Sequence, residues 1–453
     1  MKLKPYILAA GLLLAGSAQA ETDFDRGTRM DWWREARFGM FVHWGLYSGL
    51  AGTWEGEPAP RDRNLEHIQR VVHVDTYTYA AEAIPKFTPK EDFATAWATL
   101  AKQAGCKYVV FTTKHHEGFA LHDSKLSLYD AGDILNRDLV REITEALRKE
   151  DLRVGFYHSL IDWHHPQYDY TRAKYPPYPK GNIPMTTGPR DHSIYVHYLH
   201  GQVRELISNY GPVDILWWDY SSFGFDGDKA WRAGELIEIC RKAHPEVIMN
   251  NRLFRRPEAG FSYDGGADLN RPLNPKFGDF GTPEQHIPED FDPKMDWETC
   301  QTMNNTWGYS EHDLNWKSST EIIRQLIDVV SRGGNYLLNV GPKGDGSIPE
   351  PSIKLMKDVG EWMEVNGEAI YGTSKSPIGE PDFDGRVTRK GKTYYLHLFS
   401  RPESGQVTVP FNASQAQLLD GNLVLELKQT GKSVTIELPK VLPDSVASVI
   451  RIR

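Results

Sequence analysis

Lys107–His116 reads KYVVFTTKHH: a lysine, an unbroken apolar run, then polar residues ending in a histidine pair. An apolar run of this length without alternation suits a strand covered on both faces. Five further runs have the same pattern: Arg37–Gly45 (RFGMFVHWG), Arg153–Ser159 (RVGFYHS), Val213–Asp219 (VDILWWD), Glu246–Arg252 (EVIMNNR) and Asn335–Gly341 (NYLLNVG). Helical periodicity precedes four of these strands, over Phe93–Ala104, Leu139–Glu150, Ser193–Tyr210 and Thr320–Arg332. Strands alternating with helices predict an α/β fold, a TIM-like (β/α) barrel. Fewer than eight clear units can be read, so the barrel is expected to be irregular. Gly181–Asp191 and Asn270–Asp296 read as long loops.

The pattern changes after Tyr371. Lys392–Leu398, Gly405–Val409, Asn422–Leu427, Ser433–Leu438 and Val446–Ile452 are short alternating runs split by Gly, Pro and Asn. They predict a C-terminal antiparallel β-sandwich. At the other end, Lys2 and Lys4 precede an apolar stretch from Tyr6 to Ala15 and the small-x-small sequence Ser17-Ala18-Gln19-Ala20. This is the tripartite form of a cleaved signal peptide. The expected organisation is a signal peptide over residues 1–20, a catalytic barrel over 21–371 and the sandwich over 372–453. The mature chain is expected to be exported, periplasmic or secreted, without a membrane anchor.

Composition excludes more than it identifies. With 52 basic against 61 acidic residues the formal charge is −9, which argues against a nucleic-acid partner. Thirteen Trp lean slightly toward carbohydrate, whose C–H faces pack on aromatic rings. The three cysteines, Cys106, Cys240 and Cys300, form neither a disulfide framework nor a zinc motif and read as buried thiols, with one bridge left open. No nucleotide-binding glycine pattern opens a helix, so no cofactor is expected, and Gly341–Gly346 reads as a turn.

The polar residues gather at the C-terminal ends of the strands, the rim that carries catalytic groups in a barrel. His43, His115, His116, His158, Asp219 and Arg252 all lie there. Asp219, after two tryptophans, reads equally as a reacting carboxylate or as the cap of a following helix. The histidines suit hydrogen bonding to sugar hydroxyls. A metal is not expected, because neighbouring residues on a strand point to opposite faces and an HH pair seldom serves one ion.

The runs ARFGMFVHWGLYSG, TTKHHEGFALHDSK, GFYHSLIDW, GPVDILWWD, NNRL, GDFGTPE and GGNYLLNVGPKGDGSIP occur in that order. Together they resemble glycoside hydrolase family 29, the α-L-fucosidases, from about Trp32 to Gly372. The resemblance implies a retaining exo-hydrolase of fucosylated glycans that needs no metal and passes through a covalent fucosyl-aspartate. Asp219 matches the family's nucleophile, and Glu284 its acid/base, with Glu298 as the rival. His43, His115, His116, Tyr157, Trp217 and Arg252 match sugar-binding positions, and Phe41 and Trp307 those that pack on the C6 methyl. Glu66 matches a further binding carboxylate, with Glu55 as the fallback. Next to it the chain departs from the family pattern: His67 stands where a Trp is usual.

Overall fold

The computed structural model describes residues 23–60, 64–169, 189–221, 227–254, 278–289 and 296–453. The expected signal peptide and most of the expected loop at 181–191 lie outside these residues.

Seven strands form one parallel sheet: β1 (Phe38–Val42), β2 (Tyr108–Lys114), β3 (Arg153–Ser159), β4 (Ile215–Asp219), β5 (Ile248–Met249), β6 (Glu298–Thr302) and β7 (Asn335–Val340). Their spatial order is β5-β4-β3-β2-β1-β7-β6. Alternation along each strand sorts the side chains. Phe41, Tyr108, Val110, Tyr157, Ile215, Trp217, Ile248, Cys300 and Leu337 fill the interior. Val109, Phe111, Phe156, Leu216, Trp218 and Leu338 face outward into the larger helix-facing core.

The strand edges β5 and β6 do not pair with each other; Gly278–Gln285 lies between them. Asp279 N–H donates to Met249 O (2.7 Å) and Asn251 N–H to Phe280 O (3.1 Å). On the other side Glu298 N–H donates to Gly281 O (2.9 Å), Cys300 N–H to Pro283 O (3.2 Å) and Gln285 N–H to Cys300 O (3.0 Å). This irregular eighth member closes the barrel, and it corrects the reading of Asn270–Asp296 as a continuous loop. Its anchor is Asp279, fully buried, whose carboxylate accepts from Arg29 (2.7 Å) and Arg241 (2.6 Å).

The helices begin with α1 (Asp23–Ala36), which inserts Met30, Trp33 and Ala36 into the interior cluster and stops the N-terminal end of the barrel. Then come α2 (Phe93–Gln103), α3 (Leu139–Lys149), α4 (His192–Asn209), α5 (Ala233–Ala243), α6 (Ser319–Ser331) and α7 (Glu350–Asn366). Caps fix several starts: Asp138 accepts from Arg141 N–H, Asp191 from Ser193 N–H and Ser318 from Glu321 N–H. None of the helices in the described residues is long and apolar enough to cross a membrane.

The C-terminal part is antiparallel. It contains β8 (Gly385–Lys390), β9 (Thr393–Leu398), β10 (Gln406–Val409), β11 (Ala416–Leu418), β12 (Val424–Leu425), β13 (Leu427–Thr430), β14 (Ser433–Glu437) and β15 (Ser448–Ile452). A five-stranded sheet, β8-β9-β15-β11-β12, faces a three-stranded one, β10-β14-β13. Val387, Leu396, Leu418 and Ile450 from the first meet Val407, Val409, Val434 and Ile436 from the second. Arg324 of α6 donates to Phe399 O and Val446 O, and Trp362 of α7 to Ala447 O, which joins this sandwich to the barrel helices.

Candidate active site

Strand β4 delivers Asp219 to the rim because Trp217 turns inward and Trp218 outward. The Asp219 side chain is 14% exposed. One carboxylate oxygen accepts from Arg252 Nη1 (2.8 Å) and from Tyr220 N–H (2.8 Å), and the other from the Tyr157 hydroxyl (2.9 Å). Tyr220 adopts φ +75°, the left-handed region, which is costly for a residue with a Cβ. That turn folds its own N–H back onto the carboxylate. Asp219 is therefore held as an ion-paired acceptor facing the rim.

Arg252 ties this group to the new barrel member. Its Nε donates to Thr282 Oγ1 (2.8 Å) and its Nη2 to Glu284 Oε2 (2.8 Å). The guanidinium carbon sits 4.4 Å from the centre of the Trp217 ring, a cation–π contact. Burial alone would weaken the arginine's charge, but the Asp219 carboxylate, joined by Glu284 whenever that group is ionised, outweighs it and holds the guanidinium protonated. Glu284, with a side chain 35% exposed, is the more open of the two carboxylates. Its backbone is bridged to Cys300.

Glu298 is at the opposite end. It begins β6 and is fully buried, accepting from the Tyr108 hydroxyl (2.5 Å) and Trp217 Nε1 (3.2 Å). It lies beneath the Trp217 indole, away from the rim, and does not share Arg252 as Glu284 does. Trp217 in turn spends its N–H on Glu298 and offers only its ring to the cavity.

Burial pushes the Glu298 carboxyl up from 4.5 to about 7. The folded state thus binds more protons than the unfolded one between these values. The stabilisation is full below about 4.5 and is lost as pH rises through about 7. Thermal unfolding of Glu298→Gln is expected to show a shallower loss of stability from pH 5 to pH 8, with a difference of roughly 3 kcal/mol across the window. Parallel melting curves for the two proteins would count against a neutral acid here.

Four histidines converge on the rim. His43 and His115 come from the ends of β1 and β2, and the ring centres of His115 and His116 are 4.0 Å apart. The pair lies past the last residue of β2, so strand alternation no longer separates them. His43 Nδ1 is 2.7 Å from Asn339 Oδ1, while Asn339 Nδ2 donates to Trp307 O. That chain makes His43 Nδ1 a donor and leaves Nε2 with its lone pair. His116 Nδ1 is 2.7 Å from Ser159 Oγ, whose own proton goes to Ile161 O, so His116 is set the same way. Burial pushes His43 to about 4 and His67 to about 3, and His115 and His116 well below the usual imidazole range. All four rings are neutral near neutral pH. His158 does not join them: it faces outward, fully buried, against Thr113.

Phe41 forms an aromatic floor with Trp217 (ring centres 5.0 Å apart) and Trp307 (6.0 Å). Glu66 is buried on a single 3-10 turn, where Gly308 N–H donates to it (3.4 Å), and burial raises it to about 7. Glu55 sits at the exposed turn of a small hairpin and drops out as its alternative. Thr282, Asn339 and Ser159 belong to the site but are not singled out by the sequence, and His67, which the sequence marks only as a departure from the family pattern, joins them. Asn339 and Ser159 end or follow barrel strands, so the rim rule could have found them. Cys106, Cys240 and Cys300 are separate buried thiols.

The family profile described as alpha-L-fucosidase matches residues 16–368. Tissue alpha-L-fucosidase of Bos taurus is 31% identical over 438 residues, covering 91% of this chain and 85% of the relative. Among solved structures, alpha-L-fucosidase isoenzyme 1 from Paenibacillus thiaminolyticus superposes with a TM-score of 0.84 at 36% identity, covering 94% of this chain and 99% of that one. An alpha-L-fucosidase of family 29 from Bacteroides thetaiotaomicron, trapped as a covalent intermediate with 2-fluoro-fucosyl fluoride in a glutamate-to-glutamine mutant, superposes at 0.79 and 27% identity, covering 94% and 96%.

Proposed function

Because the chain belongs to the α-L-fucosidase family, we propose that it hydrolyses terminal α-L-fucosyl residues of glycans with retention at the anomeric carbon. One observation carries this reading: a single guanidinium, Arg252, hydrogen-bonds two carboxylates at 2.8 Å each, on a rim lined by neutral imidazoles. Retaining hydrolases hold their carboxyl pair about 5–5.5 Å apart, closer than inverting ones, and one shared arginine suits that spacing. The covalent intermediate of the Bacteroides relative supports the same course.

Asp219 attacks the anomeric carbon while Glu284 protonates the departing glycosidic oxygen. The C1–O bond breaks and a fucosyl-aspartate forms. Glu284, now ionised, takes a proton from water, which attacks C1 and returns Asp219 as the free carboxylate. Arg252 and the Tyr157 hydroxyl keep Asp219 charged and aimed. His43, His115, His116 and Glu66 receive the sugar hydroxyls, and Phe41 and Trp307 cover the C6 methyl. The substrate is a fucosylated oligosaccharide or glycoconjugate. Residues 21–371 carry the chemistry and residues 372–453 the sandwich, and residues 1–20 direct export.

The test follows the first sugar released from an aryl α-L-fucoside by proton NMR. α-L-Fucose is expected first; β-L-fucose first would sink the double displacement. An aryl α-L-galactoside, which adds only a C6 hydroxyl, is expected to react about 10²-fold more slowly, the limit of what an apolar pocket imposes on an added hydroxyl.

A further inference from the structure

His67 has no part in the mechanism above, yet it is buried against the histidine pair. Its ring centre lies 4.9 Å from that of His116 and 5.9 Å from that of His115. One ring nitrogen from each of the three lies within 4.8 Å of the others. A tetrahedral zinc with bonds of 2.0–2.1 Å needs nitrogens about 3.4 Å apart. Small side-chain rotations cover that difference.

We propose that His67, His115 and His116 form a three-imidazole site for a borderline divalent cation, Zn²⁺ or Cu²⁺, inside the sugar cavity, and that a cation held there excludes the sugar. The donor set suits these ions, since imidazole nitrogen favours them over Mg²⁺ or Ca²⁺. The supporting shell is in place. Ser159 accepts from His116 Nδ1, which orients the ring and leaves Nε2 free to ligate. A Glu66 oxygen lies 3.9 Å from His67 Nε2 and can play the same part there. His115 Nδ1 is buried with no hydrogen-bond partner among the described residues. All three rings are kept neutral by burial, so no proton has to leave before metal binds. Three protein ligands leave a fourth position for water.

Exclusion of sugar rests on the function proposed above, because it assigns two of these imidazoles to sugar hydroxyls; the metal site itself does not. Chelator-stripped protein is titrated with Co²⁺, which reports tetrahedral coordination by visible d–d absorption, and Zn²⁺ is then added to displace it. One Co²⁺ per chain is expected, and affinity should fall at least 100-fold in His67→Phe, or in His67→Gln should the first variant not fold. Absent bands, or bands unchanged in the folded variant, would overturn the site. With an aryl α-L-fucoside, Zn²⁺ should raise KM and leave kcat unchanged. An unchanged KM with Zn²⁺ bound would overturn the exclusion. A chain that binds Co²⁺ but cleaves no fucoside would instead refute the proposed function and leave the site standing.

Discussion

Asp219→Ala is expected to lower kcat for an aryl α-L-fucoside by about 10⁴-fold or more, the scale set by removing a covalent nucleophile. Neither group nearest to it is placed to replace it. The Tyr157 hydroxyl is raised by burial and by Asp219 itself, and Glu284 lies across the arginine. The loss must be separated from unfolding. Deleting one partner of a largely buried ion pair can cost about 3–5 kcal/mol, although Glu284 still pairs with Arg252. Asp219→Asn preserves volume and is the companion variant. A small anionic nucleophile such as azide, entering the space left in Asp219→Ala, should restore turnover and give the β-configured fucosyl azide. Wild-type rates in either folded variant would remove Asp219 from the mechanism.

Glu284→Gln should separate two steps. With a substrate whose leaving group is a poor one, such as a sugar, loss of proton donation is expected to cost about 10²–10⁴-fold in kcat. With a nitrophenyl leaving group, bond cleavage needs little acid help, so the first step should be nearly spared. The second still needs a base, and the fucosyl-aspartate should accumulate and be visible by mass spectrometry as one adduct per chain. Equal losses for both leaving groups, with no adduct, would mean that Glu284 only steadies Arg252.

The barrel and its rim could be read in the sequence because parallel strands write long apolar runs and their polar ends are contiguous with them. That rule alone places His43, His115, His116, Asp219 and Arg252 at the rim, but it also named His158, which faces outward against Thr113. The eighth member escaped it. Its residues, Gly278-Asp279-Phe280-Gly281-Thr282-Pro283-Glu284-Gln285, include one large apolar side chain, and the segment is held by backbone bonds and by a carboxylate between two arginines. β6 escaped for a related reason: ETCQT is buried but mostly polar. The expectation that strand alternation turns the adjacent histidines to opposite faces does not apply, because β2 stops at Lys114, just before them, and their ring centres lie 4.0 Å apart. Glu298 stood as a rival to Glu284 because β6 could not be read as a strand, which hid its place at that strand's N-terminal end.

The attachment of residues 278–285 to both neighbouring strands has an evolutionary corollary. Glu284 is clamped on both sides: Pro283 O before it accepts from Cys300 N–H, and Gln285 N–H after it donates to Cys300 O. Insertions or deletions in the sequence that precedes Gly278 can therefore accumulate without displacing Glu284. A lineage can change the length of that sequence while inheriting the two carboxylates on Arg252 intact.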